Sequence, residues 1–214
     1  KSRLLLGTAY VPLREEFGDN SGKYGCAFYH KQLSGTEPGC EKAAEDKWDK
    51  PEDVGKRQVL LSSGGGDLCD ALPGILLAAV KDDMLRHVVF HMVVGGFNRN
   101  VEELKRIAEK YPNIRLHCQV EHMAKLMGEC TAAVSAAGTM LFELSAMQVP
   151  TVFFVSADNQ KYDSEFFAAE ERMLFAGDIR ENREACLETV CSQLKEILED
   201  RAMRRRMKRK LYEV

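Results

Sequence analysis

The chain has 214 residues, 45% of them hydrophobic and 29% charged, with a formal net charge of −3. A chain of this length can bury one sizeable core, and its composition excludes a disordered or fibrous protein. The mild acidity offers no global attraction to nucleic acid or an anionic membrane, and no apolar run approaches the roughly 18 residues of a membrane span. The opening KSRLLLG is too short for the apolar region of a secretory signal, so the chain reads as soluble and cytoplasmic.

In chain order, LLLG reads as a strand and YVPLREEF as a short helix, and residues 18–55 are rich in Gly, Lys, Glu and Asp. A stretch that long without apolar periodicity reads as an insertion or flexible loop. The seven cysteines (Cys26, Cys40, Cys69, Cys118, Cys130, Cys186, Cys191) include no CxxC pair, which fits reduced structural thiols. A zinc site from Cys26, His30 and Cys40 lacks a paired knuckle, so no metal and no other cofactor is expected.

From Gln58 onward, short β-branched runs alternate with amphipathic segments, the pattern of a parallel sheet with crossover helices. Strands are expected at 58–62, 88–94, 114–118, 131–135 and 151–156, and a weaker one at 173–177. Between the second and third, Leu104, Ile107, Ala108 and Tyr111 share a helical stripe, opened by a capping box of Asn100 and Glu103 and stopped by Pro112. Leu187, Val190, Cys191, Leu194, Ile197 and Leu198 mark a second helix. In the basic tail RAMRRRMKRK, Met203, Met207 and Leu211 form a narrow stripe, which suits a terminal helix packing across lobes with its charges solvated rather than a nucleic-acid contact.

Three strand ends carry candidate chemistry. The first runs into SSGGGD, where Gly64, Gly65 and Gly66 let the backbone approach an anion and the following helix start offers free amides. The loop is neither a Walker loop nor a GxGxxG fingerprint, and a tight structural turn would explain it equally. The fourth strand leads into SAAGTMLFELSAMQVP, where Ser135 and Gly138 leave room for a ligand. Thr139 can cap the helix or donate to phosphate. Glu143, one turn later, can accept hydrogen bonds from two ribose hydroxyls, or merely favour a helix N-terminus with its charge. After the fifth strand, Asn159 and Gln160 of ADNQ lie where open α/β sheets bind ligands, although turn formation is the plainer role.

Taken in order, LLLGTAYVPLREEF, SSGGGD, CQVEHMAKLMGECTAAVSAAGTMLFELSAMQVPTV and ADNQ resemble the pseudaminic-acid-pathway UDP-sugar hydrolases. The similarity extends to the related spore-coat polysaccharide proteins and, more distantly, to MurG-type glycosyltransferases. It implies the C-terminal, UDP-binding lobe of a GT-B fold, an α/β, Rossmann-like parallel sheet flanked by helices. Residues 1–17 would then be the end of an absent N-terminal lobe and its connector, and 56–214 the nucleotide-sugar-binding domain. The resemblance places Gly64 to Gly66 at the diphosphate, and Val120, His122 and Met123 against uracil. It places Ser135, Gly138 and Thr139 at phosphate, Glu143 at the ribose, and Asn159 with Gln160 at the sugar. Ala137 departs from the family, where a second glycine is common. The family's catalytic histidine belongs to the other lobe, so no catalytic residue is expected here and this chain alone would not turn over. Its expected partners are UDP or a UDP-sugar and that lobe, not nucleic acid or a membrane. The implied function is release of a UDP-linked diacetamido-trideoxy hexose as free sugar in nonulosonic-acid biosynthesis, in some proteins beside a CMP-sugar cytidylyltransferase. The alternatives are the donor domain of a glycosyltransferase and a non-catalytic binding domain.

Overall fold

The computed structural model describes Arg14, Glu16, Phe17 and residues 57–212. The possible zinc ligands, the LLLG strand and the 18–55 insertion lie outside the described residues. All six expected strands are present, as β1 (Gln58–Ser62), β2 (Val89–Val94), β3 (Ile114–Cys118), β4 (Ala132–Ala136), β5 (Thr151–Val155) and β6 (Leu174–Asp178). They form one parallel sheet in the order β3-β2-β1-β4-β5-β6. Helices α1 (Ala71–Ala79), α2 (Val101–Lys110), α3 (Met123–Glu129), α4 (Met140–Ala146), α5 (Lys161–Ala168), α6 (Arg183–Glu199) and α7 (Arg201–Tyr212) cover both faces.

The central strands are buried on both sides, and their alternation feeds two cores. Val59, Leu61, Val134, Val152 and Phe154 pack with α1, α2 and α6 on one face. Leu60, Ala133, Phe153 and Val155 pack with α3, α4, α5 and Phe17 on the other.

Two expectations about helix ends are corrected. Asn100 does stand before α2, but its side chain makes no cap. Its amide instead donates to the Asp70 carboxylate, while Asn98 Oδ1 accepts from the Asn100 backbone amide at 2.8 Å. The charges of the terminal α7 are not all solvated: the helix places Met207 in one core and Leu211 in the other. The same helix buries Arg204, whose Nη1 donates to the Ile197 and Leu198 carbonyls at 2.8 and 2.9 Å and so satisfies the end of α6.

On the α3 face a polar chain crosses three strands. Gln58 Nε2 donates to the Glu129 carbonyl at 3.3 Å, and its Oε1 lies 2.7 Å from His91 Nε2. His91 Nδ1 lies 3.0 Å from His117 Nε2. Because the Gln58 oxygen only accepts, His91 carries its proton on Nε2 and accepts from His117 through Nδ1. That arrangement needs a neutral His91. Burial, with His117 and Arg115 nearby, lowers its pKa to about 4. The folded value lies below the unfolded one of about 6.5, so this stability is complete above pH 6.5 and is lost as pH falls towards 4. Denaturant titrations between pH 7.5 and 4.5 are expected to show about 1 to 2 kcal/mol of loss, solvent screening included, that His91→Gln largely removes. An unchanged pH slope in His91→Gln would exclude His91 as the titrating group.

Candidate functional site

Parallel strands bring all their C-terminal ends to one edge, and connections from β1 run outward one way while those from β4 run outward the other. The crevice between these diverging loops is where open α/β sheets bind ligands. Here its walls are the loops after β1 and β4, paired directly at Ser62 and Ser135. Both candidate glycine-rich segments of the sequence therefore meet at a single place.

In the β1 loop Gly64 has φ +81°, a conformation that favours glycine, and its amide donates to Ser62 Oγ at 3.2 Å. Gly65 and Gly66 are not required by the fold. A Cβ at either would meet Phe97 at ordinary contact distances of 3.6 and 3.7 Å. The β2 loop supports this turn from beneath: Phe97 N donates to Gly65 O at 2.9 Å, and a Cβ on Gly95 would fall 2.3 Å from Gly64 O.

The start of α1 is not an anion site, contrary to the sequence expectation. The buried Asp67 carboxylate accepts from the Ala71 and Leu72 amides at 2.8 and 2.9 Å, filling the place a ligand phosphate would take. Burial raises the Asp67 pKa, and these two amide bonds offset part of that rise. Any anion contact on this wall falls to the Gly64–Gly66 backbone alone.

On the opposite wall Ser135 is fully buried and its hydroxyl donates to the Ala136 carbonyl at 3.0 Å, so it forms the floor of the crevice rather than a phosphate contact. A Cβ on Gly138 would meet nothing within 4 Å, and Thr139 is exposed. Thr139 stands at the start of α4 without capping it, which leaves its hydroxyl free of that bond. Glu143 is largely buried, with 15% of its side chain exposed, and accepts from Arg14 Nε at 3.1 Å. Burial raises the Glu143 pKa while the Arg14 guanidinium lowers it.

The flanking loops complete the edge. Val120 is half-buried against the second core, Met123 is buried, and His122 is exposed at the start of α3. After β5, Gln160 turns inward: its Oε1 accepts from the Ser156 and Ala157 amides at 2.8 and 3.2 Å, so it shapes the turn. Asn159 stays exposed, and Asp158 pairs with Arg180 at 2.7 Å. Leu68, Phe97 and Tyr162, each at least 80% exposed, stand on the β1, β2 and β5 connections, around this same edge. A hollow of about 370 Å³ elsewhere is lined only by Arg201, Ala202, Arg205, Arg206 and Arg209 of α7, a groove between side chains of one helix. Among the described residues no group of three or more His, Cys, Asp or Glu is placed to hold a metal ion. None of the described helices is long and apolar enough to cross a membrane.

Solved glycosyltransferases share this architecture. The MurG of Acinetobacter baumannii superimposes with a TM-score of 0.56 over 79% of this chain and 48% of its own, at 17% identity. A point mutant of S. aureus TarM, solved with fondaparinux, α-GlcNAc-glycerol and UDP, gives 0.56 over 73% of this chain and 31% of its own, at 16% identity. The chain has the Rossmann-like fold of a GT-B lobe. By sequence, this lobe is 27% identical over 121 residues to the spore coat polysaccharide biosynthesis protein SpsG of Bacillus subtilis, covering 56% of the chain and 36% of SpsG. It thus spans less than half the length of each of these relatives. No family model matches it.

Several residues of the candidate site escaped the sequence reading. Gly95 and Gly96 end a strand as Gly64 to Gly66 do, and that repetition was the available signal. Asp67, four residues before the helix it caps, and Arg14, 129 positions from its partner, carry none.

Proposed function

We propose that this chain is the nucleotide-sugar-binding lobe of an enzyme of surface polysaccharide biosynthesis, with UDP or a UDP-sugar in the crevice. The observation that carries this reading is the meeting, at the switch point, of two walls with room for a ligand and one buried carboxylate. A Cβ on Gly64 or Gly138 would meet nothing within 4 Å, and Glu143 lies one turn inside the second wall. The backbone of Gly64 to Gly66 faces the diphosphate, with Gly138 and Thr139 opposite. Glu143 holds the ribose, Val120, His122 and Met123 flank the base, and Asn159 reaches the sugar, with Gln160 fixing that turn.

The relatives' names support the class: SpsG by its role in spore coat polysaccharide, and TarM and the pneumococcal O-GlcNAc transferase GtfA by structures holding UDP. No catalytic residue is assigned within the chain. The chemistry falls to a facing lobe on the same polypeptide, and the exposed Leu68, Phe97 and Tyr162 rim suits such a cover. The finer proposal is a hydrolase that passes a UDP-linked amino sugar to water, resting on the sequence resemblance. Transfer to an alcohol acceptor is the second reading, favoured by the glycosyltransferases among the structural neighbours.

Calorimetry on the chain is expected to show tighter binding of UDP than of UMP, because both walls offer donors to the additional phosphate. Equal affinities would remove the diphosphate role from Gly64 to Gly66.

A further inference from the structure

The segment that enters the lobe does more than tether it. Phe17 is fully buried in the second core, the cluster that also holds Met123 and Leu141. It fixes the residues just ahead of it in space: the Arg14 guanidinium sits 5.2 Å from the Phe17 ring centre. Arg14 Nε and Nη2 both approach Glu143 Oε1, at 3.1 and 3.0 Å, and Nη1 lies 3.2 Å from Glu16 Oε1. Glu16 then accepts from the Ala124 amide through Oε2 at 3.2 Å, at the first turn of α3. One short piece of chain therefore grips the start of α3 and the first turn of α4, the helices that follow the two loops on the base and ribose sides of the crevice.

We propose that Arg14 is a positioning residue of the nucleotide site, orienting Glu143 for the ribose and, with Glu16, tying the entering segment to the nucleoside half of the crevice. The inference rests on the nucleotide reading of that crevice. Both Arg14 bonds fall on a single carboxylate oxygen, so Oε2 keeps its lone pairs for ligand hydroxyls while Oε1 is held. A guanidinium suits this role because its planar fork fixes orientation as well as charge, which a lysine ammonium does not. Among the described residues, the charged groups facing Glu143 are Arg14, which attracts it, and Glu16, which repels it. Arg14 spans the two carboxylates and lets them stand side by side.

The test is titration calorimetry of UDP and 2′-deoxy-UDP against the wild-type chain, Arg14→Ala, Arg14→Lys, Glu143→Gln and the Arg14→Ala/Glu143→Gln pair, with thermal midpoints recorded for each. Arg14→Ala should weaken UDP about five- to tenfold and 2′-deoxy-UDP much less, and it should add almost nothing in the Glu143→Gln background, as expected of coupled neighbours. Arg14→Lys should recover part of the loss. Equal weakening of both nucleotides, or a loss additive with Glu143→Gln, would overturn the positioning role and point to direct phosphate contact. A lowered midpoint with unchanged affinities would overturn it in favour of a purely structural tie. Failure of the wild-type chain to bind UDP would overturn the nucleotide reading as well, whereas tight UDP binding indifferent to Arg14 would sink this inference alone.

Discussion

Glu143→Ala is expected to cost roughly 1.5 to 3 kcal/mol of UDP affinity, the usual worth of hydrogen bonds to a charged group. That corresponds to about a ten- to hundredfold rise in Kd. The competing explanation is that Glu143 only complements the N-terminus of α4. Removing a carboxylate there would cost about 0.3 to 1 kcal/mol of stability and leave affinity nearly untouched. The structure weakens that alternative, because the carboxylate is largely buried and bonded to Arg14 instead of to the amides of its own helix. Arg14, with nearly half its side chain exposed, loses little when its partner goes, so the stability change should be small. Calorimetry separates the two, and 2′-deoxy-UDP gives the cross-check: it should bind the wild type more weakly than UDP, and the difference should shrink in Glu143→Ala. Equal binding of both nucleotides by the wild type would exclude Glu143 as a ribose clamp.

The second large effect belongs to Gly95. A methyl group there would lie 2.3 Å from Gly64 O, 2.6 Å from Gly65 O and 2.7 Å from the Gly65 carbonyl carbon, all backbone atoms that cannot swing aside. Gly95→Ala must therefore push the glycine turn away from the β2 loop, at a cost of about 1 to 3 kcal/mol typical of overpacking. The displaced turn is also the proposed diphosphate wall, so the preference for UDP over UMP should fall with stability. Gly96→Ala is the matched control. Nothing lies within 4 Å of its Cβ position, and the change should stay within about 0.5 kcal/mol of the wild type. Chemical denaturation of both variants decides it: similar midpoints would mean that the two loops do not support each other.

The neutral His91 network and the Arg204 bonds show how differently buried polar residues read in the two kinds of data. In the sequence, His91 and His117 are two histidines within separate strand runs, with nothing to pair them. Their pairing with Gln58 depends on β1, β2 and β3 lying side by side. Arg204 reads as one charge among many in RAMRRRMKRK, and only the close turn between α6 and α7 brings it under the last carbonyls of α6.

The sequence by itself determined the strands, because β-branched runs between amphipathic segments are local signals: every strand, the weak sixth included, starts within one residue of its expected position. It also pointed to Gly64–Gly66, Ser135–Glu143 and Asn159–Gln160 as ligand loops, since each follows a strand and the chain order alone suggests a shared edge. The tertiary structure decided what each residue in those loops has left to offer. Asp67 fills the α1 amides, Ser135 turns its hydroxyl to a neighbouring carbonyl, Gln160 turns back on its own strand end, and Arg14 reaches Glu143 across 129 positions of sequence. Hydrogen-bonding capacity is finite, and its allocation depends on neighbours that folding, not sequence proximity, supplies.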